Sequence, residues 1–276
     1  MSGAALALVL GAAFMHASWN VLLAGARDSE AATAVATLCG CVLLMPVAIA
    51  TGCVSAAALP FAGASAVLHV GYLSLVGRAY ARGQVSVVYP IARGTAPVLV
   101  LVVAAVALRE GVPALAVAGI CAVACGVFLV GGGGRTREPA ARDVLFGLAI
   151  AATIAAYTLV DAEGVDHAQA PAYLALLLTP SAVAYAVALV CRGRGPELRA
   201  ELRARAVLTG AFVVGAYGSV LAALRLADAA PVAAVRESSV VIAAALASAF
   251  LHEPVGARRF GGAVLVVAGV AAIAYS

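Results

Sequence analysis

The sequence predicts an all-α integral membrane protein: about ten transmembrane helices in two inverted five-helix repeats around a central cavity. Composition, run length and an internal repeat carry that prediction. Of the 276 residues, 64% are hydrophobic and 11% charged, and the mean hydropathy is +1.08. A soluble domain is about 45–50% apolar and about 25% charged, so this chain is a membrane protein throughout. The net charge is +4 with no lysine; every basic residue is an arginine. That balance needs no nucleic-acid partner, because arginines in short loops orient membrane proteins. The Ala, Gly, Val and Arg bias fits a GC-rich bacterial genome.

About 20 apolar residues cross the hydrocarbon core as a helix. The first run, 4–24, lacks the basic start of a cleaved leader and continues through "MHASWNVLLA", so it reads as a span. His16, Trp19 and Asn20 lie on one face of it, at i, i+3 and i+4. Three such groups avoid lipid, either as glue between helices or as a solute site. The next runs are 31–51 and 59–77, the latter with His69 and Tyr72. The fourth, 85–108, carries Tyr89 and Arg93, with Pro90 and Pro97 as expected backbone breaks. The fifth, 112–131, has a small-residue face at Ala118, Gly119, Ala122 and Gly126 for close helix packing. "GGGG" at Gly131–Gly134 then divides the chain into 1–134 and 135–276 as a flexible linker.

The second half opens with 144–161, which carries Tyr157 and, at its end, Asp161, read as an interfacial carboxylate. Runs 170–190, 206–226 (with Tyr217), 231–251 and 259–275 complete the set. Between 190 and 206, "GRGPELRAELRAR" reads as a short amphipathic helix on the membrane surface. The six cysteines, Cys39, Cys41, Cys53, Cys121, Cys125 and Cys191, form no CxxC pair and read as small buried hydrophobes.

The repeat appears when spans four and five are laid on spans nine and ten. "IARGTAPVLVLVVAAVALREGVP" runs without a gap beside "VRESSVVIAAALASAFLHEPVGA" from the arginine onward. Arg93 falls on Arg236, Glu110 on Glu253, Gly119 on Gly262 and Gly126 on Gly269. Apolar matches are cheap in such a chain; matched charges are not. Five crossings reverse direction, so the second copy is inverted, as in many secondary transporters. Intramembrane arginines either snorkel or line a wet cavity. Retention of the charge in both copies favours the cavity, with one arginine facing each mouth. Glu237 has no acidic counterpart, since Gly94 occupies that place; it is the candidate counter-ion or proton carrier. The matched Glu110 and Glu253 read as structural. Phosphate loops, metal-ligand spacings and nucleophile motifs are absent from the sequence, so no cofactor, metal or catalytic residue is expected.

Ten spans in two halves, "HASWN" in the first, "YPIARGTAP" in the fourth and the paired Glu110 and Glu253 resemble the EamA-like branch of the drug/metabolite transporter superfamily over essentially the whole chain. The resemblance implies a bacterial inner-membrane exporter of amino acids, metabolites or toxic compounds. It also implies a cavity lined by spans one, three, four, six, eight and nine. The candidate lining is then His16, Trp19, Asn20, Tyr72, Tyr89, Arg93, Tyr157, Tyr217, Arg236 and Glu237. The family's Gly-Glu after spans four and nine is here Arg109-Glu110 and His252-Glu253, so only a structural role carries over.

The expected function is outward secondary transport of a small organic solute, an amino acid or other anionic or zwitterionic metabolite, by alternating access. Protons through Glu237 or His16 are the candidate coupling ion; the oligomeric state is left open, a monomer being compatible with the sequence. The rival readings are a proton-coupled exporter of organic cations or drugs using Glu237, and an intramembrane lipid-modifying enzyme with His16 or Asp161 as base. Orientation divides two arguments. Loops after odd-numbered spans hold nearly all the loop arginines, from Arg27 to Arg259, against Arg109 and Arg225 on the other face. Positive-inside reasoning puts both termini outside; the resemblance puts them inside.

Overall fold

The computed structural model describes all residues except 25, 53, 83–84, 110, 132–139 and 252–255. Glu110, Glu253 and most of the expected glycine linker lie outside the described residues. The helices are α1 (Gly3–Ala24), α2 (Ser29–Thr51), α3 (Ala58–Arg82), α4 (Val85–Val106), α5 (Ala114–Gly131) and α6 (Ala141–Gly164), then α7 (Ala170–Cys191), α8 (Gly195–Ala200), α9 (Ala204–Leu224), α10 (Ala229–Arg236), α11 (Ser238–Leu251) and α12 (Ala257–Ala274). Ten segments are long and apolar enough to span a membrane, with α10 and α11 sharing one. The short α8 lies where an amphipathic surface helix was expected. Large apolar side chains stand outward, Val42, Ile49 and Val67 at 72% exposure and Val106 at 75%. Such a surface is stable only against lipid.

Two expectations are corrected. Pro90 and Pro97 do not break α4, which runs continuously through both. The break falls instead in the ninth span, at Glu237, where no proline stands. There the Glu237 amide donates to the Ala234 carbonyl and the Val240 amide to the Glu237 carbonyl, each at 3.0 Å. These three-residue steps tighten the helix locally, as a 3₁₀ turn does. The cysteines are also less buried than expected: among the five described, Cys41 is buried, Cys39 half-buried, and Cys121, Cys125 and Cys191 exposed. On membrane helices an outward thiol is covered by lipid rather than by protein.

The repeats meet along a glycine seam between α5 and α12. A Cβ placed on Gly119 would stand 2.7 Å from the Gly269 carbonyl oxygen, and one on Gly126 would stand 2.6 Å from that of Gly262. The reverse contacts are as close, 2.8 Å from Gly262 to Gly126 and 2.6 Å from Gly269 to Gly119. Rising numbers on α5 meet falling numbers on α12, so the helices are antiparallel. Each glycine also meets the repeat mate of the other, the signature of a two-fold, self-complementary contact. In lipid, where apolar burial drives little, such close backbone approach supplies the packing. The same pseudo-symmetry sets α1 on α9 as α6 on α3, and α2 on α9 as α7 on α3. The cavity lies among these helices.

Arg109, after α4, holds φ +57. That is the left-handed region where glycine is at ease and a side-chain-bearing residue is not. The backbone there has the shape that glycine favours, which is what the resemblance would expect at this position.

Candidate substrate cavity

The central cavity has an inner chamber of about 140 Å³ and an adjoining vestibule of about 580 Å³. Both are walled in part by His16, Trp19, Leu23, Thr33, Tyr72, Leu73 and Arg93. The vestibule reaches Arg27, Asp28, Ser29 and Glu30, the α1–α2 turn, so access is from the arginine-rich face. None of the lining residues lies in the α2–α3 or α6–α7 turns of the other face. Those turns join each other: Val54 bridges Ala168, the Ser55 amide donates to the His167 carbonyl, and Phe61 stacks on the His167 ring.

Nine of the ten expected residues line these spaces. His16, Trp19, Tyr72 and Arg93 line both; Asn20 and Tyr89 line the vestibule; Tyr157, Tyr217 and Arg236 line the chamber. The α1 face is held in place locally. Trp19 Nε1 donates to His16 Nδ1 at 3.3 Å, and Asn20 Nδ2 donates to the His16 carbonyl at 2.7 Å. The aromatic wall is edge-on: the Tyr157 ring stands 6.1 Å from both Tyr72 and Tyr217, with interplanar angles of 81°.

Glu237 lines neither space. It is fully buried behind the wall, with Oε2 2.9 Å from Arg93 Nε and Oε1 3.9 Å from Arg236 Nε. The expectation of one arginine at each mouth is thereby corrected. α4 packs on α10 beside the pseudo-two-fold, so guanidiniums starting on opposite sides of the midplane converge on one carboxylate. The helix ends help: Arg236 closes α10 and Glu237 precedes α11, each charge at the dipole end that favours it. The missing acid of the first copy also has a reason. A Cβ on Gly94 would stand 2.7 Å from Phe128 Cε2, so α5 occupies that place.

The two arginines are not equally committed. Arg93 donates Nη2 to Ser239 Oγ at 3.1 Å in addition to its ion pair. Arg236 is 5% exposed, and its Nε and Nη2 have no hydrogen-bond partner among the described residues. Its guanidinium carbon lies 6.0 Å from the Tyr157 ring centroid, within cation–π reach. A buried guanidinium with unused donors beside a chamber is a ready carboxylate or phosphonate receptor.

Sequence reasoning missed several groups. Thr33 and Thr37 on α2 and Ser181 on α7 line the chamber, so spans two and seven contribute beyond the six that the resemblance implied. Their hydroxyls return to their own helix carbonyls, and threonine or serine at turn spacing was the available signal. His69, noted in the third span as a possible liner but left out of the ten, lines the chamber and packs on Tyr157, with centroids 4.4 Å apart. Asp161 is not interfacial: it is fully buried, accepting from Tyr173 at 2.9 Å and from Tyr217.

The model of the EamA-like transporter family matches residues 142–275. A solved structure titled only "Crystal structure of protein" superposes with a TM-score of 0.78, covering 99% of this chain and 96% of that one at 17% identity. At that identity the likeness is one of fold. No curated protein matches the chain. The chain is thus a multi-pass membrane protein with ten membrane-spanning segments among its described residues, and its second half, residues 142–275, is similar to the EamA-like transporter family.

Proposed function

We propose that the protein is a secondary transporter of a small organic anion or zwitterion, such as an amino acid, exported across a bacterial inner membrane by alternating access. The observation that carries this reading is Arg236, buried beside the chamber with Nη2 unused and Nε held only by its 3.9 Å ion pair to Glu237. Arg93, already tied to Glu237 and Ser239, positions that centre and supplies field. Trp19, Tyr72, Tyr157 and Tyr217 contact the body of the solute. The halves 1–134 and 135–276 are the bodies that rock, and one copy of the chain holds the whole cavity. This reading leaves no catalytic role for His16 or Asp161.

The test is thermal stabilisation of the detergent-purified protein by a panel of amino acids, other carboxylates, phosphonates, sugars and organic cations. A ligand at a hundred times its Kd adds about 2.7 kcal/mol to the native state. Carboxylates or phosphonates are expected to raise the melting temperature of the wild type and to leave Arg236→Ala unmoved. Stabilisation by organic cations alone, kept in Arg236→Ala and lost in Glu237→Gln, overturns the anion reading in favour of a cation exporter. Turnover of a lipid in detergent, with no sealed compartment, overturns transport itself.

A further inference from the structure

We infer that Asp161, on the transporter reading above, is a proton-binding site whose occupancy sets the position of Tyr217 in the floor of the chamber. Asp161 lies in the last turn of α6, fully buried. Its two oxygens are used by two other helices: Oδ1 accepts from the Tyr173 hydroxyl on α7 at 2.9 Å, and Oδ2 from the Tyr217 hydroxyl on α9. The pocket is built for this. Gly164, three residues on, leaves room for the Tyr173 ring, because a Cβ there would stand 2.6 Å from Cε2.

The surroundings separate Asp161 from Glu237. No ion pair reaches Asp161 among the described residues, whereas Glu237 has a guanidinium on either side. A proton arriving at Glu237 breaks ion pairs; one arriving at Asp161 breaks none and removes from the interior a charge held by hydroxyls alone, where buried charge is costly. The other titratable or charged groups on this side of the chamber are His69 on α3 and Tyr157 on α6 itself, both against the Tyr217 ring, and Arg236 on α10. Of the two phenols holding Asp161, Tyr217 also lines the chamber, with its ring edge-on to His69 at 5.3 Å.

The proton comes from solvent, and one O–H bond forms on Oδ2. That oxygen changes from acceptor to donor, so the Tyr217 hydroxyl must accept from it instead of donating, and its own proton turns away toward another acceptor. A carboxylate held by two phenols thereby links proton uptake to the shape of the solute chamber.

The test is an infrared difference titration of the full-length protein in detergent, run from alkaline to acid pH without added solute. A protonated-carboxyl band is expected to grow as pH falls, together with a change in tyrosine ring bands. Asp161→Asn is expected to lose both, Tyr217→Phe to lose the tyrosine change and shift the carboxyl midpoint, and Glu237→Gln to keep both. A carboxyl band undiminished in Asp161→Asn overturns the proposal, as does a Tyr217→Phe titration identical to wild type. Displacement of the proton by sodium at fixed pH overturns it too, by making the site a sodium site. Because no solute is used, failure here leaves the transport reading standing, and failure of the solute panel leaves this result intact.

Discussion

At the scale of single residues, position 109 stores strain in the backbone. Arg109 sits at φ +57, a conformation that costs a side-chain-bearing residue roughly 1–2 kcal/mol. Arg109→Gly is therefore expected to stabilise the protein by about 1 kcal/mol, read as a higher melting temperature; no gain means that the side chain makes compensating contacts. Asp28 gives a pH-dependent prediction at the cavity mouth. It caps α2 through the Ala31 amide at 3.0 Å and shares Arg194 with Glu30. Partial burial works against it, but the Ala31 amide and Arg194 hold its carboxyl below the ordinary 3.8. A carboxyl depressed in the folded state adds stability above its unfolded value and loses it as pH falls through the folded one. Asp28→Asn keeps the cap and loses the charge. Its deficit against wild type, about 0.2–1 kcal/mol for a partly exposed pair, should be full at neutral pH and vanish below 3.8. A deficit that persists in acid denies the ion pair any role.

Elements tell a different story, because their packing depends on what is absent. The α5–α12 seam admits no side chain at Gly126, where a Cβ would meet both the Gly262 carbonyl and Val266 Cγ2 at 2.6 Å. Overpacking of this kind costs about 1–3 kcal/mol. Gly126→Val should lower the melting temperature, whereas Gly111→Val, a glycine with open space around its Cβ position, should not. Equal effects would mean that the seam is looser than its geometry. Span lengths were legible in the sequence because hydrocarbon thickness sets them, and the ends of most helices fall within a few residues of the expected ones. The break at Glu237 was not legible. It arises from a carboxylate drawn to Arg93 on another helix, and no proline or glycine marks it.

Across the whole molecule, inversion of the repeat was readable from matched charges, and the glycine seam gives it physical form. Lateral neighbours were not readable. Position along α6 placed Asp161 near the water, but α7 and α9 bring two tyrosines over it. Arg93 and Arg236 were found from the sequence, while their convergence on one carboxylate needed the crossing of α4 and α10. The arginine-rich face predicts the orientation. A C-terminal alkaline phosphatase fusion expressed in bacteria should be active and a fluorescent-protein fusion dark, because loops rich in arginine stay in the cytoplasm. The reverse pattern would support the resemblance instead, and place the vestibule on the outer side. The chain has a single tryptophan, and that residue is Trp19 in the shared wall of chamber and vestibule. Its indole is hydrogen-bonded to His16 and edge-on to that ring. Intrinsic emission from the native protein is therefore a local spectroscopic probe of the central cavity, with no label to attach and no background from tryptophan elsewhere.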